Sequence, residues 1–357
     1  MKYCVILKGK RGEQTAVRQL SSRALNRTFI TFEVPPIPVK FKDDEPGEPV
    51  GLKHSVEAHL NSFCLGLNKK MIPSVEFGID MSPLQRHSIR RASLVSSIID
   101  PLKAAGLAPI PVIGLSDEFP YFSRLVDYCS IGQSPFVVRV SRQECNFPGA
   151  IQRRIAELSQ TVGVPLSSIR LLFDFGSITI GDIEEVADVS RALEEELPLH
   201  EYAMASTVAA SMPDSQVMLL GLKYGQTDLI PRAEWSAWKR ASLTQIGFGD
   251  YGITHPDDYV DVDFRLVTLG GKIRYTTPEN FMVMKGKKLK DNGDQFHYLA
   301  STLRETGLCN APTYCWGDHE IAACAQRERG PGTLESWIAF STNHHVTLAS
   351  RQLANAA

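Results

Sequence analysis

The chain has 357 residues, 43% of them hydrophobic and 22% charged, with a formal net charge of −2. That balance is ordinary for a globular protein and supplies no overall basic field for nucleic acid. No apolar run reaches the roughly 18 residues of a membrane-spanning helix, and the N-terminus lacks the basic, apolar and small-residue order of a signal peptide, so a cytoplasmic protein is expected. Residues 3–7 (YCVIL) read as a strand that runs straight into Lys8, Lys10 and Arg11, with a helix near 14–22. Residues 28–34 (TFITFEV) make a second strand, followed by a loop rich in Pro and charge and an amphipathic stretch at 52–67. Further strands are expected at 74–79 (SVEFGI), 109–115 (PIPVIGL), 136–140 (FVVRV), 170–175 (RLLFDF), 205–210 (ASTVAA) and 244–248 (TQIGF). Helical segments near 88–105, 119–129, 151–161, 183–196 and 233–241 separate them.

Strand then helix, repeated about eight times, is the pattern of an α/β protein built as a (β/α)8 TIM-like barrel. The alternative is a doubly wound open α/β sheet, whose G-x-G-x-x-G after the first strand is absent. Residues 1–260 are expected to form the barrel core and 261–357 a C-terminal elaboration packed on or capping it. The elaboration reads as hairpin strands at 272–277 and 280–285, a helix at 295–306 and a closing helix at 333–342.

The reactive rim of such a barrel is where strands end and helices begin. Lys8 with Lys10, Glu33, Asp80, Arg139 with Arg142, Asp174, Ser211 and Asp250 fall at or just past the ends of seven runs. A barrel would gather them at one mouth; the run at 109–115 offers only Ser116 and Asp117. Glu33, Asp80, Asp174 and Asp250 suit general acid–base work, and Asp80 with Asp174 suits a hard cation such as Mg²⁺ or Mn²⁺. Lys8, Lys10 and Arg139, with Ser211 and Tyr251 beside them, suit an anionic group such as phosphate. Strand-end charges also serve solubility, or satisfy one another in salt bridges without chemistry.

Residues 247–252 (GFGDYG) offer either a phosphate cradle or a tight turn. In the tail, Asp318, His319 and Glu320 precede Asn343, His344 and His345. Adjacent histidines on a helix cannot both face one point, so at most one is expected to act as a ligand or base, oriented by Asn343 or Asp318, and His345, or alternatively His344, is expected to reach over the mouth. PRAEWSAW, with Arg232, Glu234, Trp235 and Trp238, reads as a helix start with two tryptophans packed in the core. The seven scattered cysteines, without a C-x-x-C pair, read as free thiols.

LKGKRGEQTAV, FEVPP, FGID, VVRVSR, LLFDFG, PRAEWSAW, GFGDYGITHP, IRYT, WGDHEI and NHH span nearly the whole chain. In them the chain resembles the bacterial and phage "beta protein" family. The resemblance implies a cytosolic protein of phages, prophages and mobile regions, neighbour to nuclease-like proteins, with a place in phage–host conflict. It implies no particular reaction. The expectation is therefore a barrel mouth that holds a small phosphate-bearing or nucleotide-like ligand and hydrolyses it with a divalent cation. The alternative is a sensor without turnover that regulates a partner such as a nuclease. A homo-oligomer is compatible with either.

Overall fold

The computed structural model describes residues 2–73, 75–87, 94–115, 123, 127–131, 134–214, 219, 221–259, 270–290 and 292–356. Ser116 and Asp117, the first part of the helix expected at 88–105 and most of that expected at 119–129 lie outside the described residues.

Eight parallel strands close into a barrel: β1 (Tyr3–Leu7), β2 (Thr28–Glu33), β5 (Glu76–Asp80), β6 (Ala108–Gly114), β7 (Phe136–Ser141), β8 (Ile169–Ser177), β9 (Met204–Ala210) and β11 (Gly249–Asp250). Closure, with β1 paired to both β2 and β11, rules out the open doubly wound sheet. Two smaller sheets accompany it. The hairpin β3 (Val39–Phe41) and β4 (Pro49–Leu52) sits in the Pro-rich loop, and β10 (Thr227–Pro231) joins β12 (Gly270–Thr276) and β13 (Asn280–Lys288) in an antiparallel sheet. That sheet takes one strand from before residue 260 and two from after it.

Strand parity sorts the core. Cys4, Ile6, Phe29, Ile110, Val112, Val137, Leu172, Val208, Ala210 and Tyr251 fill the barrel interior. Their neighbours in sequence, such as Val5, Ile30, Phe77, Val138 and Phe173, pack outward under the helices. Side chains alternate along a strand, so a strand buried on both faces reads as continuously apolar. Each buried Leu, Ile or Phe contributes about 1.5–3 kcal/mol by leaving water.

The helices Pro148–Val162, Ile183–Glu196 and Ala233–Ala241 pair with the later strands. The first of them begins on a proline and stops at Gly163, which adopts the left-handed conformation. The closing helix, Leu334–Ala356, is far longer than expected and packs against the first helix, Arg11–Arg18. Asn343 ties the two, its Nδ2 donating to the Ala16 carbonyl at 3.0 Å. Among the described residues no helix is long and apolar enough to cross a membrane.

The eighth strand starts later than TQIGF suggested. The amides of Thr244, Gln245 and Ile246 donate to Glu194 Oε1 at 2.9, 2.6 and 3.2 Å, which takes them out of any strand ladder. Pairing begins only at Gly247, which bridges Ser206, and continues through Gly249 and Asp250.

Candidate functional site at the barrel mouth

Five of the strand-end residues meet at the C-terminal end of the barrel. Lys8, Glu33, Asp80, Arg139 and Asp174 have inward parity on five different strands, so closure brings them to one place. Arg139 is the hub. Its Nη1 donates to Glu33 Oε1 at 2.9 Å and Asp80 Oδ2 at 2.5 Å, and its Nε donates to Asp174 Oδ2 at 2.7 Å. Its Nη2 donates to the Tyr251 hydroxyl at 2.5 Å, which donates onward to Asp174 Oδ2 at 2.7 Å.

Lys8 extends the ring, donating from Nζ to Glu33 Oε2 at 2.6 Å and to the Pro256 carbonyl. Gly9 has φ of +65°, and a Cβ there would strike the Glu33 carbonyl, so the turn after β1 requires glycine. Tyr259 covers the lysine, its ring centred 4.3 Å from Nζ and its hydroxyl 2.7 Å from Glu33 Oε2. Asp80 Oδ1 accepts from the Ser82 amide at 2.8 Å and from its hydroxyl. Asp174 Oδ1 accepts from the Gly176 amide at 2.9 Å.

Burial acts on each charge, and the partners outweigh it. Desolvation pulls the Arg139 guanidinium down, but Tyr251, Asp174, Asp80 and Glu33 hold it well above its usual value. Burial pushes Asp80 up, yet Arg139 and Ser82 leave it below the ordinary carboxylate range. Burial, and then the nearby carboxylates, keep the Tyr251 and Tyr259 hydroxyls protonated. Access is uneven. The Arg139 side chain is 18% exposed and that of Asp174 11%, against 1% for Lys8 and Asp80 and 4% for Glu33. Arg139 and Asp174 are therefore the most exposed members of the ring.

The structure places the other candidates elsewhere. Asp250 has the opposite parity to Tyr251 and points outward, into a buried layer under the closing helix. There its Oδ1 accepts from the Tyr3 hydroxyl at 2.5 Å and the Gly252 amide at 2.9 Å, and His345 Nε2 lies 2.9 Å from Oδ2. The other imidazole nitrogen of His345 meets the Thr276 hydroxyl at 2.9 Å. Burial holds the pKa of this histidine below its ordinary value, so it packs as a neutral ring. Asp250 and His345 thus form a separate network in the barrel wall and are not bonded into the ring.

Ser211 also points away from the interior, donating to Glu234 Oε2 and to the Pro231 carbonyl at 2.9 Å. Burial pushes that Glu234 carboxyl up to about 7. Lys10 lies outside the ring, its Nζ 3.2 Å from the Asp258 carbonyl. Arg142 reaches back to Asp182 at 2.8 Å and Glu185 at 2.9 Å on the barrel's outer side.

Sequence reading missed Tyr3, Ser82, Tyr259 and Arg232. Arg232 is fully buried against Gln352 Oε1 at 2.7 Å, although PRAEWSAW signals only a helix start. Ser82 had a local signal in D-M-S, an aspartate followed two residues later by a hydroxyl. Tyr3 and Tyr259 carry no such signal.

The three ring carboxylates converge on the guanidinium, which fills the position a shared metal would need. Among the described residues, the group of three ligating side chains that share one point is Cys315, Asp318 and His344, in the elaboration. His344 turns to Asp318 while His345 turns to Asp250, so the two histidines face different partners.

Among curated proteins, none matches this chain. A family model described as Beta protein matches residues 3–351, nearly the whole chain, which therefore belongs to the Beta protein family.

Proposed function

We propose that the barrel mouth binds a small phosphate-bearing ligand, nucleotide-like in class, which enters at the exposed edge of Arg139 and brings its own divalent cation. The observation that carries this is the Arg139 hub at the C-terminal end of a closed barrel, the face on which such barrels do their chemistry. Four of the five N–H bonds of Arg139 already go to Glu33, Asp80, Asp174 and Tyr251, so a ligand oxyanion takes the remaining Nη2 hydrogen and gains a second by displacing the Tyr251 hydroxyl. The ring holds three carboxylates against the two cations Arg139 and Lys8. A bare anion 4 Å from an uncompensated carboxylate meets about 4 kcal/mol of repulsion at an effective dielectric of 20. A Mg²⁺ or Mn²⁺ ion carried on the ligand removes that repulsion, and Asp174, the most exposed carboxylate of the ring, is placed to meet it.

Hydrolysis with Asp174 as general base is the first reading. Sensing without turnover is the second, and one observation favours it: every ring carboxylate already accepts hydrogen bonds, so none stands free as a base. A place in phage–host conflict, with a nuclease-like partner, rests on the family resemblance alone.

The test is equilibrium dialysis of the full chain against a panel of nucleotides and phosphodiesters, with and without Mg²⁺, followed by an assay for phosphate release. Cation-dependent binding that weakens about tenfold or more in Arg139→Lys is expected. Release lost in Asp174→Asn supports hydrolysis, and binding without release supports sensing. No binding at millimolar ligand, or binding indifferent to Arg139→Lys, overturns the proposal.

A further inference from the structure

We propose that Cys315, Asp318 and His344 form a zinc site inside the C-terminal elaboration, separate from the barrel mouth. Cys315 caps the helix Trp316–Ala325, Asp318 lies in that helix's first turn, and His344 projects from the closing helix. Cys315 Sγ and His344 Nδ1 both face Asp318 Oδ2, at 3.0 and 2.8 Å, and all three donor atoms lie within 4.8 Å of one another.

The orientation of the imidazole points to a cation. His344 Nε2 lies 2.7 Å from the Thr276 carbonyl, an oxygen that only accepts, so Nε2 carries the hydrogen. Nδ1 is then the nitrogen that faces Asp318 Oδ2, and the Cys315 sulfur faces the same oxygen, so one zinc ion among them would take all three as ligands, the Cys315 thiol giving up its proton to solvent as the sulfur binds. Imidazole, thiolate and carboxylate are the ligands zinc takes, and an outer hydrogen bond from the ligating histidine to a backbone carbonyl is the usual support.

Geometry is close to what zinc needs. Ligand bonds of about 2.0–2.3 Å in a tetrahedron put donor atoms roughly 3.3–3.6 Å apart. The two contacts to Asp318 Oδ2, now 3.0 and 2.8 Å, need to open by about half an ångström, and the sulfur and Nδ1 already lie within 4.8 Å of each other. The surroundings hold them in place: Tyr275 stacks on His344 with ring centroids 4.0 Å apart and donates to Asp318 Oδ1 at 2.7 Å. Asp318 and His344 are buried, whereas Cys315 is partly exposed and gives an ion its way in. A nucleophilic Cys–His–Asp arrangement fits worse, because the carboxylate, rather than the imidazole, sits between the other two.

The test uses the full chain, equilibrated with micromolar Zn²⁺, passed into metal-free buffer and assayed for zinc by mass spectrometry. One zinc per chain is expected, with affinity lower by about tenfold or more in Cys315→Ser. Asp174→Asn, in the mouth, should keep its zinc. Loading with Co²⁺ should produce a thiolate-to-cobalt charge-transfer band that Cys315→Ser abolishes. Cys315→Ser is the leading variant because its site is partly exposed and the chain should still fold, whereas His344→Gln changes a fully buried residue. Substoichiometric zinc in the wild type, or equal zinc in Cys315→Ser, overturns the proposal.

Discussion

Replacing Arg139 by leucine tests whether the mouth ring is an ionised network. The substitution removes the donors to Glu33 Oε1, Asp80 Oδ2 and Asp174 Oδ2 together. Three charge-assisted bonds at about 1.5–3 kcal/mol each set a ceiling. Water reaches the site only at its outer edge, since Asp80 and Glu33 are almost fully buried, so little of the loss is made good. Breaking a buried pair by removing one partner typically costs about 3–5 kcal/mol, and that is the expected loss at pH 7.

The loss should depend on pH. In the wild type the Asp80 carboxyl sits below its ordinary range, so its contribution is present above the unfolded pKa and fades as pH falls through the folded one. In the variant Asp80 loses Arg139, and burial, the largest influence on it, then raises its folded pKa, so the variant gains stability as pH falls toward 4. The gap between the two proteins should therefore narrow on acidification. Urea unfolding of both proteins at pH 7 and pH 4.5 measures it. Adding Asp80→Asn to the Arg139→Leu chain removes one stranded charge and should recover about 1–3 kcal/mol. An Arg139→Leu protein within about 1 kcal/mol of wild type at pH 7, with a gap independent of pH, would falsify the reasoning.

Tyr251→Phe deletes the hydroxyl that links Arg139 Nη2 to Asp174, and a cost of about 1–2 kcal/mol is expected by the same urea titration. Unchanged stability would mean that the guanidinium and carboxylate hold their places unaided. His345 has a folded pKa below its ordinary value, while the unfolded chain takes up a proton at about 6.5. The wild type should lose stability as pH drops below about 6.5, by at most roughly 1.4 kcal/mol per pH unit, and His345→Gln should flatten that limb. Parallel slopes in the two proteins between pH 7 and pH 5.5 would show that the imidazole does not titrate differently on unfolding.

Much of this was legible in the chain as written. Alternation of apolar strands with amphipathic helices is set by local periodicity, so β1, β2, β7 and β9 fall within a residue or two of where YCVIL, TFITFEV, FVVRV and ASTVAA put them. Charges at the ends of those runs converge because a parallel barrel collects all its strand ends on one face. Lys8 met the strictest form of that expectation, pointing inward to Glu33.

Parity and partnership were decided only in three dimensions. Asp250 and Tyr251 are neighbours in sequence, yet one faces the wall network and the other the ring. A shift of one residue in a strand exchanges its two faces, so a strand end placed only to within a residue or two leaves open which of Asp250 and Tyr251 faces the ring. Tyr3, Thr276 and His345 meet only because the closing helix lies across the start of β1. By itself the sequence determined the repeating units and the residue types at their ends, because those follow from local periodicity. The tertiary structure decided which side chains share a site, because contacts between residues far apart in the chain exist only once the barrel has closed.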